Sequence, residues 1–133
     1  MTIQFVDTYY LLALVNSRDK DHEKAIRHSQ GRLGGLVTTT WVLAEFADAL
    51  CAVDSRVLAA HFIRGFLGQS FVEVVPPSDE QFGNGLADYQ NRQDKEWSLT
   101  DCLSFLVMKE RGIVEALTAD HHFEQAGFRA VLR

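Results

Sequence analysis

Four carboxylates stand at comparable places in the chain, each at or near the point where an apolar segment gives way to a helix. Asp7 ends the run Ile3-Gln4-Phe5-Val6, Glu45 lies in the helical segment after Leu36-Val37-Thr38-Thr39, Asp101 opens the segment after Ser98, and Asp120 follows Leu117-Thr118. Gathered at one end of a sheet, such acids are a donor set for phosphoryl-transfer chemistry. Hard oxygen ligands hold Mg2+ or Mn2+, and the ion acidifies a water and neutralises charge developing on phosphate. Without a cation the same cluster repels itself.

Each acid also has a purely structural alternative. Asp7 and Asp120 suit helix N-caps, and Ser98-Leu99-Thr100-Asp101 fits a capping box, an arrangement worth roughly 1 kcal/mol. Glu45 sits roughly 130° from the centre of its helix's apolar stripe, counting about 100° per residue, which suits a solvated face. Asp101 strains the alternative most. Leu99, Cys102, Leu103, Phe105, Leu106, Val107 and Met108 make its helix apolar nearly all round, and a carboxylate beside buried surface needs a partner.

The elements that must position these acids follow from periodicity and punctuation. Short apolar runs at residues 3–6, 36–39, 71–75, 113–118 and 128–132 read as strands. Between them helical spacing runs from Thr8 to about Val15, over Asp21–Gln30, from Thr40 with Val42, Leu43, Phe46, Ala47 and Leu50, and from Ser55 with Phe62, Ile63, Phe66 and Leu67. The last two should form a helical hairpin. Ser78 caps a helix carrying Phe82, Leu86 and Tyr89 but weakened by Gly83 and Gly85, and Ser98 opens another that Gly112 ends. A short turn follows at residues 120–126. Strands separated by helices imply right-handed crossovers, so the expected architecture is a three-layer α/β/α sandwich over residues 1–133, with a mostly parallel sheet of about five strands. Ligands in such sheets bind beyond the carboxyl ends of the strands, where Asp7 falls.

Composition narrows the function classes. At 133 residues, 47% hydrophobic and 23% charged, the chain suits one core and no solenoid. No run supports a membrane span or a signal peptide, so a cytoplasmic protein is expected, with Cys51 and Cys102 as unpaired thiols. The net charge of −5 argues against a broad nucleic-acid surface of clustered cations, yet it suits an enzyme whose carboxylates meet phosphate through metal. No Walker-type phosphate loop occurs, because Gly83-Asn84-Gly85 follows no strand in the required way. His121 and His122 are adjacent, point about 100° apart on a helix, and so at most one reaches the acids. His22, His28 and His61 lack neighbouring ligands in sequence, and Trp41 and Trp97 suit packing or a dimer surface.

Val6-Asp7-Thr8, Thr39-Thr40-Trp41-Val42-Leu43-Ala44-Glu45, Trp97-Ser98-Leu99-Thr100-Asp101-Cys102 and Leu117-Thr118-Ala119-Asp120-His121-His122-Phe123 resemble, in order and spacing, the motifs of PIN-domain nucleases, especially VapC-like toxins. The resemblance spans the chain. It implies a metal-dependent endoribonuclease in which Asp7, Glu45, Asp101 and Asp120 coordinate one or two Mg2+ or Mn2+ ions and Thr8 or Ser98 adds a hydrogen-bonding hydroxyl. It also implies an antitoxin that occludes the site, and a homodimer. The departure is the lack of a strong basic patch, Arg92 and Lys95 being the nearest candidates for gripping RNA. Two other readings stand beside it: a catalytically silent binding module of the same fold, and a small phosphohydrolase with Asp7 as nucleophile. The second is weakened by Tyr9, which stands where that pattern needs another Asp.

Overall fold

Runs such as Phe5-Val6 and Leu36-Val37 are apolar on both alternating faces, as strands covered by helices on both sides must be. In the computed structural model, which describes residues 2–32 and 34–133, they pair into one five-stranded parallel sheet. Strands β1 (Gln4–Val6), β2 (Leu36–Thr39), β3 (Val72–Val75), β4 (Glu115–Leu117) and β5 (Arg129–Ala130) lie in the order β3-β2-β1-β4-β5. The expected sandwich is therefore present, with every pairing parallel. The strands are shorter than the apolar runs. Ile3, for instance, falls outside β1 and is 51% exposed.

The helices fall where helical spacing predicted them: α1 (Thr8–Val15), α2 (His22–Gln30), α3 (Thr40–Ala49), α4 (Arg56–Leu67), α5 (Asp79–Asn91), α6 (Leu99–Arg111) and α7 (His121–Gln125). The α3–α4 hairpin closes through Phe46 against Phe62, with ring centroids 5.4 Å apart. Helix α6 is buried along most of its length and ends at Gly112, whose φ of 66° is the left-handed conformation that glycine adopts freely. Phe105 of α6 meets Phe123 of α7 edge-on at 4.9 Å, and Phe123 in turn faces Phe5 of β1. This aromatic column ties the helix that carries Asp101 to the strand that ends at Asp7.

The strand order has one functional consequence. From β1 the chain moves outward one way to β2 and β3, then returns to the other side of β1 for β4 and β5. Between β1 and β4 the connections therefore lead in opposite directions, and a crevice opens beyond their carboxyl ends.

The stripe on α5 does not form its packing face, since Phe82, Leu86 and Tyr89 are 38%, 44% and 51% exposed. Its close approach to α6 is centred instead on buried Gly85, where an added Cβ would lie 2.5 Å from Leu103 Cδ2 and 2.8 Å from Leu103 Cγ. Leu103 is itself buried, and close-packed interiors accommodate an added methyl poorly. Around Gly83 the space is open. Replacing either glycine by alanine gains about 1 kcal/mol of helix propensity, while overpacking at Gly85 costs about 1–3 kcal/mol. Gly83→Ala is thus expected to stabilise the protein and Gly85→Ala to destabilise it by about 1 kcal/mol net. Urea unfolding of both variants checks this, and an equal gain in each would refute the close-packing account.

Candidate active site

Asp7 directly follows β1, and its backbone occupies the N-cap position of α1, but its side chain makes no capping bond there. The helix-cap alternative therefore does not explain this residue. Its Oδ2 instead accepts a 2.8 Å bond from the Thr118 hydroxyl, 111 residues away in sequence. Register explains the meeting: Val6 pairs with Leu117 across β1 and β4, so Asp7 and Thr118 emerge side by side at the mouth of the crevice. Thr118 also accepts from the backbone N–H of Asp120 at 3.0 Å, linking two of the four acids through one hydroxyl.

Asp101 takes the structural role and remains in the site. Ser98 and Asp101 form the full capping box at the start of α6, with Asp101 Oδ2 accepting the Ser98 N–H at 3.1 Å and Ser98 Oγ accepting the Asp101 N–H at 3.0 Å. The same Oδ2 also faces His122 Nδ1 at 3.0 Å. Asp120 caps α7 by accepting the His122 N–H at 2.9 Å. Two of the acids are caps in fact, yet both line the cleft.

That cleft, of about 340 Å3, brings all four acids together: Asp7, Glu45, Asp101 and Asp120, joined by Thr8, Ser98 and His122. Glu45 is half-buried on its wall rather than on an open helix face. Two lining residues carried no sequence signal as site residues: Glu96, a fifth carboxylate in the loop before α6, and Tyr9, whose phenol donates to Asp21 at the start of α2. Of the adjacent histidines, His122 lines the cleft, while the His121 side chain is 61% exposed and lies outside its lining, 3.6 Å from Asp120 and with its ring centroid 4.5 Å from that of His122. Arg92 and Lys95 are not among the lining residues. Both are paired with Asp94, at 3.1 and 3.2 Å, and the Arg92 guanidinium lies over the Trp97 ring.

The electrostatics are those of buried carboxylates that repel one another. Burial pushes the Asp7 carboxyl up from 3.8 to about 7, the Asp101 and Glu45 charges add to the rise, and the Thr118 bond opposes it. Asp101 is raised chiefly by burial and further by Asp120, against the Ser98 and His122 bonds. Thr8 Oγ1, buried in the same cleft, has no hydrogen-bond partner among the described residues. Four carboxylates lining one cleft, an unmatched hydroxyl and a carboxyl forced toward neutrality by burial and further by its acidic neighbours fit a hard divalent cation, which prefers oxygen donors and would relieve the repulsion.

The PIN domain family model matches residues 5–129. The 23S rRNA-specific endonuclease VapC20 of Mycobacterium tuberculosis is 33% identical over 127 residues, a span of 93% of this chain and 94% of that protein. The crystal structure of VapC20, described as a sarcin–ricin loop cleaving toxin, has a TM-score of 0.85 at 28% identity and covers 96% of each chain. FitAcB from Neisseria gonorrhoeae shares the fold, with a TM-score of 0.67 at 14% identity over 97% and 96% of the chains. Since the family match runs from within β1 to within β5 and takes in every acid of the cleft, this chain belongs to the PIN domain family.

Proposed function

We propose that this protein is a divalent-metal-dependent endoribonuclease, the toxin of a toxin–antitoxin pair, and that Asp7, Glu45, Asp101 and Asp120 hold its Mg2+ or Mn2+. The observation that carries the reading is the buried Asp7 carboxylate, directed with three further acids into one cleft beside an unpartnered hydroxyl. Its likeness to VapC20 supports RNA as the substrate and 23S rRNA as the RNA to test first. Likeness of fold to a toxin–antitoxin complex from Klebsiella pneumoniae accords with an antitoxin partner. When bound, the cation supplies Lewis-acid charge at the scissile phosphate and acidifies the attacking water.

The chain's own groups do the positioning. Thr118 holds Asp7 Oδ2, and the Ser98 N–H and His122 hold Asp101 Oδ2, so each of these two carboxylates has one oxygen anchored by protein. Such anchoring fixes ligand orientation before a cation arrives. Glu45 closes the cleft from α3, Asp120 is held by the backbone of α7, and Thr8 and Ser98 add hydroxyls to its lining. Among the described residues no helix is long and apolar enough to cross a membrane.

Two predictions test this. Asp101→Asn should lower metal-dependent cleavage of 23S rRNA by more than about 100-fold, beyond the roughly 10–100-fold typical of losing an outer-shell partner; cleavage within a few-fold of wild type would refute the assignment. The second concerns Asp7 and pH. Its folded value of about 7 lies above its unfolded value, so between about pH 4 and pH 7 the folded state keeps a proton that the unfolded state has released. Metal-free stability must therefore fall as pH rises through that window, by at most about 4 kcal/mol. Asp7→Asn should melt higher than wild type at pH 8 without metal, and the difference should vanish near pH 4. With Mn2+ at pH 8 the order should reverse, because the wild type gains stability by binding and the variant does not. A Mn2+ shift retained in the variant would remove Asp7 from the ligand set.

A further inference from the structure

At the amino ends of the strands, across the sheet from the acids, lies a second and larger concavity of about 480 Å3. Its lining includes Lys24, Arg27 and His28 of α2 and Arg32 just beyond it, with Gln4 of β1 and Glu115 of β4 on the floor. The charge balance is lopsided. The groove's carboxylate is already matched, since Arg129 donates to Glu115 at 2.9 Å and Gln4 donates to it at 3.0 Å. Neither Arg27 nor Arg32 forms an ion pair among the described residues. The Arg32 guanidinium is held in place without a counter-charge, 3.8 Å from the centre of the Phe71 ring. The backbone shapes the floor as well: at Gly34 any Cβ would collide with the backbone of Thr2.

The groove and the acid cleft are joined by α2. Its first cap residue, Asp21, accepts the phenol of Tyr9, which lines the acid cleft, and Gly31 at its other end lines the groove. Nine helical residues span about 13 Å, or about four nucleotides at 3.4 Å rise per strand. An RNA strand needs such a grip. The protein carries −5 net charge and its cleft is acidic, while the cations nearest the loop before α6, Arg92 and Lys95, are tied to Asp94. Phosphate affinity rests on cations free to displace counterions, and the groove supplies two in Arg27 and Arg32; its third, Lys24, is exposed but donates to the Leu132 carbonyl at 3.1 Å and lies 3.9 Å from Asp21.

We propose that this groove, built by Lys24, Arg27 and Arg32 with His28, is a phosphate-docking site that holds the RNA backbone at a distance from the acid cleft and delivers the scissile phosphate to the acids along α2. The proposal rests on RNA being the substrate, but its test does not require cutting. Binding of a sarcin–ricin-loop hairpin is measured in EDTA across a range of salt, for the wild type, for Lys24→Gln/Arg27→Gln, and for Lys109→Gln, which lies outside the groove. Lys24 and Arg27 are exposed, so the double variant should fold, as its melting temperature will show. Each phosphate contact contributes roughly −0.7 to −0.9 to the slope of log affinity against log salt. The double variant should therefore lose about 1.6 from that slope and bind roughly 30-fold more weakly at about 0.1 M salt, with Lys109→Gln unchanged. In cleavage, KM should rise and kcat stay within about twofold.

An unchanged slope in the double variant overturns the proposal, and so does an equal loss in Lys109→Gln, which would mean diffuse charge rather than a site. If the variant keeps its RNA slope but loses binding to a poly-glutamate peptide, the groove takes an acidic protein segment instead and the proposal fails. Should the wild type bind the hairpin with the expected slope yet cut no RNA with Mn2+, the nuclease reading fails while the groove stands.

Discussion

The buried carboxylate of Asp7 is the constraint on which the rest of the structure depends. A desolvated acid facing other acids is unfavourable, and the strongest neutral hydrogen bond that offsets this comes from Thr118, which the parallel register of β1 and β4 places beside it. That register in turn depends on the sheet order, with β1 central and the chain turning back at β4. Sheet topology, strand register and the chemistry of the cleft are thus one arrangement seen at three scales. Stability given up at such a site is the usual accompaniment of a preorganised centre.

Helix α6 shows how structural and chemical roles share the same atoms. Its apolar circumference drives it into the core beside α3, α5 and α7, which brings its amino end to the mouth of the crevice. The capping box there satisfies backbone donors that would otherwise be orphaned, and in doing so it holds Asp101 in one orientation. Capping and metal ligation are therefore not competing explanations of Asp101. His122 adds a second anchor from α7, whose own cap is Asp120. Two helix starts and two acids are interlocked by one imidazole.

Charge is sorted across the molecule. Acids collect at the carboxyl ends of the strands, and cations collect at the amino ends, with Arg27 and Arg32 forming no ion pair among the described residues. A protein with negative net charge can engage a polyanion only if its free cations are concentrated, since dispersed or ion-paired cations release few counterions. Arg92 and Lys95, the cations that sequence position favours, share the one carboxylate of Asp94 between them. The cations of the proposed docking groove come from α2 and the turn after it, in residues that sequence alone marks only as a polar helix.

The order of elements and the four acids were legible in the sequence because both are local. Apolar period, glycine and proline punctuation and capping residues act over a few positions, and an acid at the end of an apolar run must stand at an element boundary wherever that boundary ends up. The motif spacing carried the family as well. Tertiary structure alone decided which oxygens are held and by whom: Thr118 on Asp7 across 111 residues, His122 rather than His121 on Asp101 across 21. It also decided that Glu96 joins the cleft, that Gly85 rather than the Phe82-Leu86-Tyr89 stripe packs α5, and that Lys24, Arg27 and Arg32 share one groove. These facts depend on strand register and helix packing between distant segments, and no local pattern in a single chain encodes which residues will meet there.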